Sequence, residues 1–424
     1  MSTYLSRIAD ALIARKLAGK GAVLIEGPKW CGKTTTAEQS AGSVLYMNAP
    51  AEMEQNLTVA ALNPARLLAG ATPRLIDEWQ LAPKLWDAVR FEVDHRLSPG
   101  QFILTGSAVP PSTEEIHHSG TGRFAWLRMR PMSLYESRES NGQVSLRRLF
   151  DGDLDLDGRS TLSLEQVAFL TCRGGWPRAA LLAGDTALDQ ALDYHDAIVR
   201  TDASRADGVA RAPERVRQLL RAYARLQGTQ ASHQTICTDI SAARSTSFSP
   251  DTAAAYLQAL RKIFVVEDLE AWNPDLRSKA AIRTTPTRYF VDPSIATAAL
   301  GLGPEDLLND LHTFGLLFEV LCVRDLRVFA DALDGQLYRY RDKNGLECDA
   351  VIHRRNGSYG LVEIKLGGER LIEEGVASLN ALAAKIDPAR MKAPAFRMVL
   401  TAVGEYTYRR PDGVLVVPIG CLRD

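Results

Sequence analysis

Short apolar runs alternate with one-sided helical stripes over the first 140 residues. Ala22-Val23-Leu24-Ile25-Glu26 reads as a buried strand ending at Gly27-Pro28, and Arg74-Leu75-Ile76-Asp77-Glu78 and Gln101-Phe102-Ile103-Leu104-Thr105-Gly106 read the same way. Strands separated by helical segments predict a parallel sheet in an α/β arrangement. Between about 161 and 300 the period becomes helical. Leu188, Ala191, Leu192, His195 and Val199 make one stripe, and Val216, Leu219, Leu220, Tyr223 and Leu226 make a second that stops at Gly228. A third, Ala253, Leu257, Leu260 and Phe264, follows Ser249-Pro250-Asp251. Phe264-Val265-Val266 and Arg288-Tyr289-Phe290-Val291 then read as short strands, which gives the element order of a winged helix-turn-helix. From about 305 a helix (Leu311 to Leu326) precedes strands near Leu337–Arg341, Cys348–His353, Tyr359–Leu366 and Arg397–Ala402, a mixed α/β module.

This texture divides the 424 residues into segments 1–140, 141–205, 206–300 and 301–424. A formal charge of −1 means that any polyanion site is a local patch. One such patch is residues 205–290, with 13 Arg and Lys against 8 Asp and Glu. Apolar content of 46% with 24% charged residues is that of a globular chain and excludes compositional disorder. No stretch approaches the roughly 20 apolar residues that cross a bilayer, and the N-terminus lacks a basic-then-apolar signal, so a cytoplasmic protein without a membrane span is expected. Six scattered cysteines without a C-x-x-C pair argue against zinc and disulfides. Asp151 to Gly158 spells D-x-D-x-D-G, but a calcium loop needs Glu at position 164, where Leu stands; the segment reads as a loop. His117-His118 also read as loop residues.

Gly27-Pro28-Lys29-Trp30-Cys31-Gly32-Lys33-Thr34 fits G-x-x-x-x-G-K-[ST] between a strand and a helix that begins near Thr35. In that motif backbone N–H groups turn inward around phosphates, Lys33 reaches the β and γ phosphates, and the Thr34 hydroxyl holds Mg²⁺. ATP and Mg²⁺ are the expected ligands. Asp77 and Glu78 end an apolar strand, where Asp77 would support the Mg²⁺ shell and Glu78 would polarise the attacking water. Trp79 and Gln80 continue the turn with no assigned chemistry. A hydroxyl at the end of the next strand would sense the γ-phosphate; Thr105 and Ser107 both qualify, and spacing does not separate them.

These stretches, with Gly122-Arg123 and Gly174-Gly175-Trp176-Pro177, resemble a prokaryotic group of AAA+ ATPases that carry a C-terminal nuclease-like domain of unknown function. The resemblance covers nearly the whole chain. It implies a P-loop AAA+ sheet with a helical lid, then the winged helix, then a restriction-endonuclease-like α/β domain. It further implies a ring, usually a hexamer, in which Arg123 reaches the nucleotide of a neighbouring subunit and neutralises transition-state charge. Arg178, beside the Gly-Gly-Trp-Pro turn, is a candidate for a lid-sensing role.

In the last segment Asp349 precedes Glu363-Ile364-Lys365, which resembles the PD-(D/E)xK nuclease core. There Asp349 and Glu363 would bind Mg²⁺, Lys365 would lie on the same strand face as Glu363, and Glu319 would be the upstream acid. Such a fold either cuts or only docks DNA. Arg339, Arg341 and Lys343, interleaved with Tyr338 and Tyr340, suit a phosphate backbone and stacked bases, or else a solvated hairpin. Arg261 and Lys262 lie off the apolar stripe of the third winged-helix helix and would contact DNA, unless that element is a protein contact.

The leading expectation is therefore an Mg²⁺-dependent ATPase acting on duplex or branched DNA as a homo-oligomeric ring. The alternatives are a nucleotide-operated switch with a protein partner in stress or defence, and an ATP-gated nuclease.

Overall fold

A computed structural model describes residues 4–107, 119–243, 248–273, 285–387, 389 and 391–424; His117 and His118 lie outside them. The chain forms two compact units. The first comprises residues 1–131 with 200–211 and 258–265, and the second 132–199, 212–257 and 266–424.

The first unit is a five-stranded sheet of β1 (Ala22–Glu26), β2 (Ser43–Tyr46), β3 (Arg74–Asp77), β4 (Phe102–Gly106) and β5 (Phe124–Arg128), in the order β2-β3-β4-β1-β5. Every pairing is parallel. The central strands β1 and β4 are nearly continuous apolar runs because they are covered on both faces, as parallel sheets require. Leu24, Ile76, Leu104 and Phe124 share a core with Leu85, Trp86 and Val89 of the helix Lys84–Arg96. Glu26 pairs with Gly106, and Asp77 with Thr105, so three central strands finish together. The loop leaving β1 opens at that edge, where α/β sheets bind their ligands.

The second unit contains β6 (Val144–Ser145), β7 (Gly335–Arg341), β8 (Glu347–Arg354), β9 (Tyr359–Lys365), β10 (Phe396–Thr401), β11 (Tyr408–Arg409), β12 (Leu415–Pro418) and β13 (Leu422–Arg423). Six of them form a mixed sheet, β11-β12-β10-β9-β8-β7, parallel only at β9-β10-β12. The helix Glu369–Lys385 packs on β9 and β10, and the long helix Leu311–Ala332 on β7, β8 and β9. β13 pairs with β6, fastening the end of the chain to residues 144–145. The glycines of Gly174-Gly175-Trp176-Pro177 belong to a buried knot. Gly175 N donates to Asp292, Trp176 Nε1 donates to Ser294, and a side chain at 175 would collide with the Met132 carbonyl. Arg324 bridges Asp292 and Asp325 in the same place, at 3.0 and 2.7 Å.

The helices Pro213–Arg225, His233–Ala243 and Pro250–Lys262 follow in order. Antiparallel bridges at Val266–Phe290 and Leu269–Thr287 come after them. Among the described residues no helix is long and apolar enough to cross a membrane.

Candidate functional site

The turn after β1 is shaped by three residues with positive φ: Gly27 (156°), Trp30 (65°) and Gly32 (93°). A Cβ at Gly27 would strike the Met129 carbonyl oxygen, so only glycine fits there. Trp30 takes the left-handed conformation without that excuse, a strain that needs bracing from its surroundings. Arg7 supplies some of it. Buried, it donates through Nη1 to the Cys31 carbonyl and through Nη2 to the Arg130 carbonyl, both at 2.8 Å. Tyr4 donates to Asp10 at 2.6 Å and lies 3.2 Å from the Thr36 hydroxyl, and burial holds its own hydroxyl protonated. Lys29 pairs with Asp202 at 2.6 Å. None of Tyr4, Arg7 and Asp202 carries a local sequence signal, because each reaches the loop through the fold.

Lys33, only 6% exposed, donates to the carbonyls of Gly27 at 2.9 Å and Pro28 at 2.7 Å. Thr34 Oγ1 donates to Asp77 Oδ1 at 2.7 Å, and Thr105 Oγ1 to the same oxygen at 2.6 Å. Ser107 Oγ lies 3.3 Å from both Glu78 oxygens. The two hydroxyls that spacing left equivalent thus have different partners: Thr105 the aspartate, Ser107 the glutamate. Glu78 has φ 56°, which swings its side chain out of the β3 line and into a short 3₁₀ turn, Trp79–Leu81. Trp79 anchors that turn in the core against Trp86, and Gln80 Nε2 donates to Glu78. Gln80 is a contributor that the sequence reading missed; its position two residues after the acid was the signal.

A hydroxyl and a carboxylate 2.7 Å apart form the hard-oxygen pair that suits Mg²⁺, which takes its other ligands from phosphate and water. Arg123 stands elsewhere. It precedes β5 at the strand-start edge, where its carbonyl accepts from Ala22 N, while the loop leaves the far end of β1. Five residues of strand span about 16 Å, so Arg123 does not reach the loop of its own chain. Its guanidinium donates to Asp94 at 2.8 and 3.3 Å, and Asp94 is thereby held below the usual carboxylate range. Arg178 is exposed on the short helix Pro177–Ala180.

The four residues expected of a nuclease site, Glu319, Asp349, Glu363 and Lys365, do converge, but around cations. Lys365 Nζ lies 2.7 Å from Glu363 and 3.5 Å from Asp349. Arg339 pairs with Glu319, with Glu347 at 2.9 Å and with Asp349 at 3.3 Å, and donates to the Tyr289 hydroxyl at 2.9 Å. Tyr289 in turn donates to Glu319. Burial pushes the Glu319 and Glu363 carboxyls up, whereas Asp349, next to Lys365 and Arg339, is held low. Among the described residues no group of three or more His, Cys, Asp or Glu is disposed to hold a metal. Arg339 and Lys365 pair with these acids, while Glu363 Oε1 is buried without a hydrogen-bond partner among the described residues. Arg339 also corrects the expectation of a DNA contact: it is 8% exposed and turned into the cluster. Arg341 and Lys343 are exposed, Arg341 3.5 Å from Glu347, whereas Arg261 and Lys262 are half-buried in the first unit.

Comparison with known proteins gives three family matches along the chain. Residues 19–137 match an AAA domain, 164–306 a domain of unknown function (DUF8612), and 314–422 another domain of unknown function (DUF4143). The uncharacterized proteins Rv2008c of Mycobacterium tuberculosis and Mb2031c of Mycobacterium bovis are each 24% identical over 415 residues, 97% of this chain and 83% of theirs. Among solved structures, the Walker-type ATPase PABY2304 of Pyrococcus abyssi aligns with 70% of this chain and 96% of its own, at 14% identity and a TM-score of 0.44. Together with the loop geometry and the parallel sheet, the match over 19–137 makes this part of the chain an AAA-type P-loop ATPase domain.

Proposed function

We propose that the chain is an Mg²⁺-dependent ATPase that works on DNA as a ring of identical subunits. The observation that carries the ATPase half is the convergence of Thr34 and Thr105 on one oxygen of Asp77, beside Glu78 on its left-handed turn. A triphosphate in the loop takes the Lys33 ammonium from the Gly27 and Pro28 carbonyls, an exchange of hydrogen bonds for a charge-assisted pair. Thr34 and Asp77 would hold Mg²⁺, which would supply neutralisation of developing charge. Glu78 orients and polarises the attacking water, and Ser107 fixes the carboxylate that does so.

The ring half rests on Arg123. It lies at the wrong edge of the sheet for its own nucleotide and is accessible, so it serves the nucleotide of a neighbour. Mixing tests this: Lys33→Ala subunits lack nucleotide binding but keep Arg123, and Arg123→Ala subunits keep their loop. The two inactive variants should restore turnover when combined, and an inactive mixture would refute action between subunits.

The DNA half rests on the basic surplus of residues 205–290, on the helix-helix-helix-ribbon order read as a winged helix, and on exposed Arg341 and Lys343. ATPase turnover with duplex, single-stranded and four-way DNA is the measurement. Stimulation that fades steeply with salt supports DNA as the partner, since counterion release governs such binding. No stimulation by any of them favours the second reading, a nucleotide-operated switch with a protein partner. The internal bonds of Lys33 and of Glu78 with Ser107 and Gln80 speak for that reading, because ATP must rearrange them. Nuclease action is not part of the proposal, because Asp349 and Glu363 are paired with Lys365 and Arg339.

A further inference from the structure

In the second unit a cleft of about 600 Å³ opens between the helices Asp185–Ala197 and Pro213–Arg225, closed by Ile240 and by the end of the helix Pro293–Leu300. We infer that it binds a small molecule carrying a single oxyanion group, a carboxylate or a phosphate monoester, on an apolar body. Arg217, Arg221 and Arg225 are spaced by four along one helix and stand one above another on the cleft wall. Three like charges in such a row repel unless each finds an acid. Arg217 has Glu214 at 3.0 Å, and Arg225 has Asp239 at 3.1 Å. The middle one, Arg221, has no acid partner among the described residues and is exposed on the cleft wall.

A second observation comes from the opposite wall. His195 is 7% exposed, and its Nε2 is buried without a hydrogen-bond partner among the described residues. Its nearest carboxylate, Asp196, lies 3.9 Å from the other ring nitrogen. Burial lowers its pKa, so the ring is neutral at neutral pH and offers one polar atom for a single hydrogen bond. Buried polar atoms are ordinarily satisfied, and one lining a cleft is waiting for a ligand or a water.

Charge sets the class. Asp193, Asp196 and Glu214 line the same cleft as the three arginines, so the wall is balanced overall. A nucleic-acid backbone or a polyphosphate would meet these acids as well as Arg221 and is disfavoured. A lone oxyanion on Arg221 matches one unpaired guanidinium, which can hold either group bidentately. Leu192, Ile240 and Leu300 then cover the apolar remainder, in a volume typical of small-molecule sites.

The test uses the whole chain with Mg²⁺ and saturating ADP, which occupies the phosphate loop. Phenyl phosphate, benzoate and benzylammonium are titrated by saturation-transfer NMR. Saturable binding of phenyl phosphate alone identifies a phosphate monoester, binding of benzoate alone a carboxylate, and binding of both the oxyanion class. Each should weaken at least tenfold in Arg221→Gln, a change on an exposed position that leaves the thermal midpoint in place, and in His195→Gln if that variant folds. Equal binding of benzylammonium, no saturable binding of either anion, or anion binding indifferent to Arg221→Gln would overturn the assignment.

Discussion

Two regions of this protein gather carboxylates, and they differ in what the carboxylates hold. At the phosphate loop Asp77 accepts from two hydroxyls, and Glu78 from a hydroxyl and an amide. In the C-terminal module Glu319, Asp349 and Glu363 hold Arg339 and Lys365. A hydrogen bond from a neutral donor to a carboxylate is worth about 1.5–3 kcal/mol net and can be exchanged for a metal or a water. A buried cation among acids is harder to exchange: removing one partner of such a pair costs about 3–5 kcal/mol. Residue type alone does not separate the two clusters. The partners do: exchangeable hydrogen bonds at the first, and at the second buried cations that tie Tyr289 and the long helix to the sheet.

The largest expected effect tests the first cluster. Glu78→Gln keeps the length of the side chain and an oxygen for Ser107, and removes the charge proposed to polarise water. ATP turnover should fall by about 10²–10⁴-fold, the usual contribution of a positioned base, with nucleotide affinity nearly unchanged. Radiolabelled ATP retained on the variant, together with steady-state turnover, measures both. If affinity and turnover fall together, Glu78 is a structural acid and the contrast between the clusters fails.

Arg339→Met tests the second cluster. Methionine keeps much of the volume, strips Glu319 of its cation and leaves Asp349 with Lys365 alone. Unfolding stability in urea should drop by about 3–5 kcal/mol, and Arg339→Met combined with Glu319→Gln should recover part of the loss. If the single variant is as stable as the parent and gains Mn²⁺ binding, then Arg339 was a plug in a competent metal site.

How much of this could be read beforehand follows from the same physics. β1, β3 and β4 were legible because strands buried on both faces show as unbroken apolar runs. β2 and β5 were not, since they are the sheet's edges: Ser43, Tyr46 and the half-exposed Trp126 break the pattern. The loop, Asp77 and Glu78 were legible because their chemistry is written in consecutive residues. Arg7 acts on a carbonyl 24 positions away and leaves no mark nearby. Arg339 was misread from composition. Its alternation with tyrosines suggested a nucleic-acid surface, yet it stands two residues after buried Leu337 and therefore on the same, inward face. What no local pattern provides is which cation will meet which acid, because Glu319, Arg339 and Glu363 come from three different elements.

The smallest expected effect is a pH slope. Burial, and then the charge of Asp349, raises the Glu363 carboxyl well above its ordinary value near 4.5, against the pull of Lys365. A group raised in the folded state favours folding while protonated; that contribution is complete below the ordinary value and disappears as pH climbs through the raised one. Glu363→Gln has no such proton to lose. Its stability relative to the parent should therefore improve as pH rises from about 4.5, by at most about 1.4 kcal/mol per pH unit. Urea midpoints of both proteins between pH 4.5 and 9 give the difference. Parallel curves would mean that Glu363 ionises at its ordinary value with Lys365 compensating it in full. The strain within the second cluster, which its buried acids imply, would then be absent, and only the identity of the partners would still distinguish it from the first.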